Sequence, residues 1–176
     1  DVVIKIGTVN GTGSASANGL LMKAIFRMGI PVVGKNYFPS NIQGLPTWYE
    51  IRVTGAGHRA RADRVDLMIA MNAQTYVEDL AAVTPGGWLL YDSTWPRNRL
   101  LDRKEINVLG VPLSRMCNEH FDTVRSRILM KNIAYVGVVA ALLDIDLEVI
   151  TELLNQTFAS KKQLVQSNLE AIRLGF

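Results

Sequence analysis

The residues best placed to do chemistry are Gly11-Thr12-Gly13-Ser14, which follow an apolar run (Val2, Val3, Ile4, Ile6) and open an amphipathic segment. Glycines let a backbone turn sharply and approach a ligand, and the free N–H groups of a helix start attract an anion. A strand, a glycine turn and a helix in that order suit a phosphate, or else form a tight strand-to-helix corner. As a dinucleotide fingerprint the pattern is incomplete. Its third glycine falls on Ser16, and the window where a ribose-binding acid would lie holds Val32, Val33, Gly34, Lys35 and Asn36.

Other reactive groups are sparse. The single cysteine, Cys117, leaves no internal disulfide, no cysteine-ligated iron–sulfur cluster and no tetrathiolate zinc site, so no metal ligands are assigned. Cys117 and His120 would share one helix face, but a free cysteine is most often a small core residue, and no catalytic residue is assigned. A reduced chain suits the cytoplasm. The charge of +3 is spread out, which argues against nucleic acid; the densest basic stretches are 58–64 and 97–103. The most apolar segment, 128–143, is interrupted by Lys131 and Asn132 and stopped by Asp144, too short and polar for a membrane span. Trp48, Tyr49 and Trp95 read as core residues, with flanking of a base as the alternative.

The elements that must position these groups follow from periodicity. A strand over 2–9, a helix over 14–28 and a strand over 31–37 form a βαβ unit, with Gly29 at the helix C-cap and the two strands parallel. Residues 47–54 alternate as a half-buried strand, and Gly55-Ala56-Gly57 turns it toward an antiparallel hairpin with its successor. Strands over 65–71, 88–91 and 105–111 and a helix over 73–83 follow. The last third is helical, near 114–121, 126–143, 147–158 and 160–174, with Asp146 as an N-cap. The helix at 128–143 is apolar on nearly every side and needs cover all round, from the sheet and later helices or from a partner subunit. The fold class is α/β: a Rossmann-like three-layer domain with a mostly parallel sheet, a hairpin and a helical C-terminal third. One domain, 1–176, is expected from the length.

Several stretches, taken in order, resemble one family. Gly11-Thr12-Gly13-Ser14, Tyr37-Phe38-Pro39-Ser40-Asn41-Ile42-Gln43-Gly44, Tyr49-Glu50-Ile51-Arg52-Val53-Thr54, Val65-Asp66-Leu67-Met68-Ile69-Ala70-Met71-Asn72 and Lys131-Asn132 are similar to the gamma-type domain of 2-oxoacid:ferredoxin oxidoreductases. In two-subunit members this domain is fused to the front of the alpha subunit, so a chain running from Asp1 to Phe176 reads as a segment excised from a longer one. Two departures stand out: the family's glycine-glycine-glutamine-glycine turn reads Gly13-Ser14-Ala15-Ser16, and its arginine-glycine-glycine loop reads Gln43-Gly44-Leu45.

The resemblance implies a holoenzyme that oxidatively decarboxylates a 2-oxoacid on thiamine diphosphate and Mg2+, sends electrons through 4Fe-4S clusters to ferredoxin, and hands the acyl group to coenzyme A. Thiamine-binding alpha and beta domains would be partners that carry those cofactors, and the isolated chain would be inactive and a candidate homo-oligomer. Within this chain, Gly11, Thr12, Gly13, Ser14 and Asn18 would line an anion-facing helix start, with Lys35, Asn36, Tyr37 and Ser40 as the neighbouring wall on the coenzyme A side. The alternatives are a purely structural interaction module without a ligand and a stand-alone NAD(P)-binding domain.

Overall fold

The computed structural model describes residues 1–39, 42–97 and 103–176. The elements, in chain order, are β1 (Val2–Val9), α1 (Ser14–Arg27), β2 (Val32–Tyr37), β3 (Pro46–Val53), β4 (Leu67–Ala70), α2 (Tyr76–Ala82), β5 (Trp88–Asp92), β6 (Asn107–Val111), α3 (Leu113–His120), α4 (Val124–Leu142), α5 (Leu147–Thr157) and α6 (Lys162–Gly175). They fall into two compact units, a sheet unit (1–12 and 31–112) and a helical unit (13–30 and 113–176).

The sheet unit holds six strands in the order β2-β3-β1-β4-β5-β6. β1, β4, β5 and β6 pair in parallel, whereas β3 is antiparallel to both β1 and β2, which makes the sheet mixed. Two expectations are corrected here. β3 does not pair with its successor; it inserts between β1 and β2, so those two strands run in the same direction without touching. The cause is burial: all four residues of β4 are buried. Such a strand belongs in the sheet interior, where β1 and β5 flank it, not in an edge hairpin. The core of this unit gathers Val65, Met68, Leu80, Val83 and Leu89, with Tyr76 and Tyr91 in an edge-to-face pair at 6.1 Å. Arg103 donates from Nη1 to Leu80 O (2.7 Å) and Val83 O (3.0 Å), closing the carbonyl end of α2.

The helical unit is organised by α4, which α6, α1 and α3 pack against. Its residues from Asn132 to Ala140 are all buried, as an all-round apolar helix requires. A capping box starts it: Ser126 N donates to Thr123 Oγ1 at 3.1 Å and Thr123 N donates to Ser126 Oγ at 3.2 Å. α4 and α6 meet backbone to backbone. A Cβ on Gly137 would lie 2.1 Å from Ile172 O, and one on Gly175 would lie 2.0 Å from Ala134 O, so only glycine permits the approach. Asp146 caps α5 as expected, accepting from Glu148 N at 2.8 Å.

Candidate functional site

In the helical unit, α1 begins on Gly13, whose φ of +84° is left-handed. No side chain caps this start and no acid lies in its first turn. Within the helix itself no acid offsets the positive end of the dipole at the first-turn amides, which is chemistry suited to an anion. Gly13 has a packing reason as well, since a Cβ there would lie 2.5 Å from Leu129 Cδ2. Ser16, at the position of the missing third glycine, is exposed, so its side chain is accommodated without strain. Ser14 is buried. Asn18 is buried too, and its Oδ1 accepts from Tyr135 Oη at 2.6 Å. Burial pushes the Tyr135 phenol far above its ordinary value, so it remains a donor throughout the accessible pH range.

In the sheet unit, the turn after β1 is laced to the loop before β3. Asn10 N donates to Leu45 O (2.8 Å), Gly44 N to Asn10 O (3.0 Å), and Thr12 Oγ1 to Val9 O (2.7 Å). A Cβ on Gly11 would lie 2.6 Å from Gln43 Cγ. Lys35 and Asn36 are exposed on the edge strand β2. Lys35 Nζ lies 5.4 Å from the centroid of the Tyr37 ring and Arg61 Cζ 5.3 Å from it, two cation–π contacts. The Tyr37 hydroxyl is buried without a hydrogen-bond partner among the described residues. Ser40 lies outside the described residues, as does the 98–102 part of the second basic stretch.

Sequence reasoning missed a buried carboxyl. Asp79, 1% exposed on α2, accepts from Trp48 Nε1 at 2.7 Å through Oδ1 and from Thr75 Oγ1 at 2.8 Å through Oδ2. A Cβ on Gly7 would meet Oδ2 at 2.7 Å, so β1 is bare where the carboxyl lies against it. Desolvation raises the Asp79 pKa, opposed by the Trp48 and Thr75 hydrogen bonds and by the positive charge of Lys5. Lys5 Nζ sits 5.7 Å from the Trp48 ring centroid. Lys5, Glu50 and Lys35 stand in register across β1, β3 and β2, and Glu50 is buried with Arg61 Nε 4.0 Å away. Arg61 was visible only as one of several loop cations, and an isolated Asp on a short helix gives no signal of burial.

Cys117 is buried in α3, and His120 Nδ1 lies 2.8 Å from Met116 O, a local helix-end bond. Among the described residues no group of His, Cys, Asp and Glu could hold a metal ion, and no helix is long and apolar enough to cross a membrane. Trp48 belongs to the sheet unit's core, whereas Trp95 is exposed.

Known proteins resemble this chain over most or nearly all of its length. Subunit alpha of 2-oxoacid:ferredoxin oxidoreductase 2 from Aeropyrum pernix is 23% identical over 99% of the chain and 33% of its own length. Ketoisovalerate oxidoreductase subunit VorA of Methanothermobacter thermautotrophicus is 30% identical over 64% of the chain and 22% of its own length. The chain thus spans a third or less of the length of these relatives. Among solved structures, 2-oxoglutarate:ferredoxin oxidoreductase from Magnetococcus marinus, with 2-oxoglutarate, coenzyme A and succinyl-CoA bound, superposes with a TM-score of 0.87. It is 22% identical, over 99% of this chain and 30% of that one. Pyruvate oxidoreductase subunit PORC from Thermotoga maritima gives 0.79 at 17% identity, covering 99% of this chain and 94% of that one. These structures establish a shared α/β fold. The model of the family described as pyruvate ferredoxin/flavodoxin oxidoreductase matches residues 3–176, and the chain belongs to that family.

Proposed function

We propose that the chain serves as a non-catalytic domain of a 2-oxoacid:ferredoxin oxidoreductase, assembling with thiamine-bearing partner domains and facing coenzyme A. The holoenzyme would decarboxylate a 2-oxoacid, reduce ferredoxin and form an acyl-CoA. Thiamine diphosphate, Mg2+ and 4Fe-4S clusters do not suit this chain's donor set: its one cysteine is buried and no metal-ligand cluster occurs among the described residues. They belong to partners. Coenzyme A does fit. The uncapped, acid-free start of α1 is the observation that carries this reading, supported by the coenzyme A bound in the Magnetococcus marinus structure. Gly13, Ser14 and Asn18 would shape that helix start. In the sheet unit Gly11, Thr12, Asn36, Tyr37 and Ser40 would orient, and Lys35 would balance charge.

A second reading, a structural module without a ligand, is favoured by one observation. Both glycines of the turn have packing reasons, Gly11 against Gln43 and Gly13 against Leu129. Titration of coenzyme A into the assembled holoenzyme separates the two. Ser16→Glu places a carboxylate in the first turn of α1, where it favours the helix by about 0.5 kcal/mol and repels a phosphate. That variant and Lys35→Glu should each weaken coenzyme A by about tenfold, equivalent to about 1.4 kcal/mol. Unchanged affinity in both, with assembly intact, would favour the structural module.

A further inference from the structure

In the sheet unit, the hydroxyl of Thr75 is offered a choice of partners. Thr75 stands at the N-cap of α2, where a threonine side chain ordinarily accepts from a first-turn amide, yet it makes no capping bond. Its hydroxyl instead has two acceptors within reach, Asp79 Oδ2 at 2.8 Å and the Asn72 carbonyl at 3.5 Å. A single proton serves one of them at a time. Thr75, Asn72 and Asp79 are all buried, so the choice is made inside the protein.

The Asp79 carboxyl decides it. As a carboxylate it only accepts, from Trp48 Nε1 through Oδ1 at 2.7 Å and from the Thr75 hydroxyl through Oδ2. When a proton from solvent joins Oδ2, that oxygen becomes a donor to Thr75 Oγ1, and the Thr75 hydroxyl turns to the Asn72 carbonyl. The Trp48 bond is the same in both arrangements. Asn72 carries the difference outward: it follows β4 closely, its Nδ2 donates to Thr8 O at 3.4 Å, and its Oδ1 accepts from Gln74 N at 3.0 Å. These contacts lie at the carboxyl ends of β1 and β4, a parallel pair, and such ends are where open α/β sheets gather ligands.

We propose that Asp79 is a proton-linked positioning residue: its carboxyl draws the Thr75 hydroxyl to itself when ionised and releases it to Asn72 when protonated, which tightens the 72–75 turn. The groups that act on Asp79 come from each element packed against it. Lys5 on β1, Trp48 on β3 and Thr75 favour the ionised form, whereas Glu78 on α2 and above all desolvation favour the protonated one and raise the pKa from the ordinary 3.8. The turn is therefore tight at low pH and loosens as the pH rises above about 4. No ligand is needed for this, so the inference stands apart from the coenzyme A reading.

The test is amide hydrogen exchange of the holoenzyme, read by mass spectrometry between about pH 4.5 and pH 8 and corrected for the intrinsic rate of each amide. Protection of the Gln74 and Thr75 amides should fall about threefold to tenfold as the pH rises, the factor that one net hydrogen bond supplies. Asp79→Asn offers its NH2 to Thr75 Oγ1 as the protonated acid does, so protection should stay high at every pH. Thr75→Val removes the turning hydroxyl and should give low protection at every pH, whereas Thr75→Ser should restore the wild-type profile. A carboxyl that merely packs would not separate these variants by pH. A flat wild-type profile would overturn the proposal, as would an Asp79→Asn profile that follows the wild type or a Thr75→Val profile that keeps the fall. If Thr75→Val does not assemble, the other two decide: Asp79→Asn must be flat and Thr75→Ser must titrate, and failure of either overturns the proposal.

Discussion

Replacing Asp79 with asparagine separates the charge of this buried carboxyl from its hydrogen bonds. The folded chain raises its pKa above the ordinary 3.8, chiefly by desolvation, so the native state holds the proton more tightly than the unfolded state does. Asp79 therefore contributes stability that is fully present below the unfolded value and is lost as the pH rises through the folded value. Above that point the ionised form is carried at a cost of about 1.4 kcal/mol for each unit by which the pKa is raised. Asparagine keeps an acceptor for Trp48 Nε1 and offers its NH2 to Thr75 Oγ1, whose own proton can turn to Asn72 O at 3.5 Å. Asp79→Asn should thus be no less stable than wild type at pH 7, with a flatter profile as the pH rises above about 4. Asp79→Ala strands the indole N–H and leaves a void, a loss of about 2–4 kcal/mol at every pH. Urea unfolding followed by tryptophan fluorescence reads both variants. If asparagine costs as much as alanine at pH 7, the attraction of Lys5 for an ionised Asp79 outweighs desolvation, and the reasoning is refuted.

Two other outcomes are expected. Gly137→Ala forces α4 and α6 apart, because the new methyl would stand 2.1 Å from Ile172 O. The gain in helix propensity of about 1 kcal/mol cannot offset overpacking of about 3 kcal/mol, so thermal unfolding should show a net loss, whereas Gly19→Ala, with open space around it, should gain about 1 kcal/mol. Tyr135→Phe leaves the buried Asn18 Oδ1 without its donor and should cost about 1–3 kcal/mol by denaturant titration; a neutral effect would mean that Asn18 finds another partner.

How much of this was legible in the sequence depends on how far each physical signal travels along the chain. Local signals served well. The three- and four-residue spacing of Leu20, Leu21, Ala24 and Ile25 located α1, and Asp146 marked the start of α5, because a cap and an apolar stripe act within a turn or two. Pairing order is not local. The alternation in β3 located the strand but not its place between β1 and β2, and the sign against a β3–β4 hairpin lay in β4, whose unbroken Leu67 to Ala70 run called for neighbours on both sides. The candidate site divides the same way. The glycine turn was visible because φ near +85° at Gly11 and Gly13 demands glycine, yet that demand has two sources that look alike in a sequence, a ligand approaching the backbone and a side chain packed against it. Gln43 and Leu129, 32 and 116 positions from the glycines they press on, supply the second source, and only folding brings them there. What the packing of Leu129 leaves unexplained is the lack of an acid in the first turn of α1, since a helix start with no anionic task gains about 0.3–1 kcal/mol from one. That omission, more than the glycines, is the feature that the proposed anionic ligand would account for.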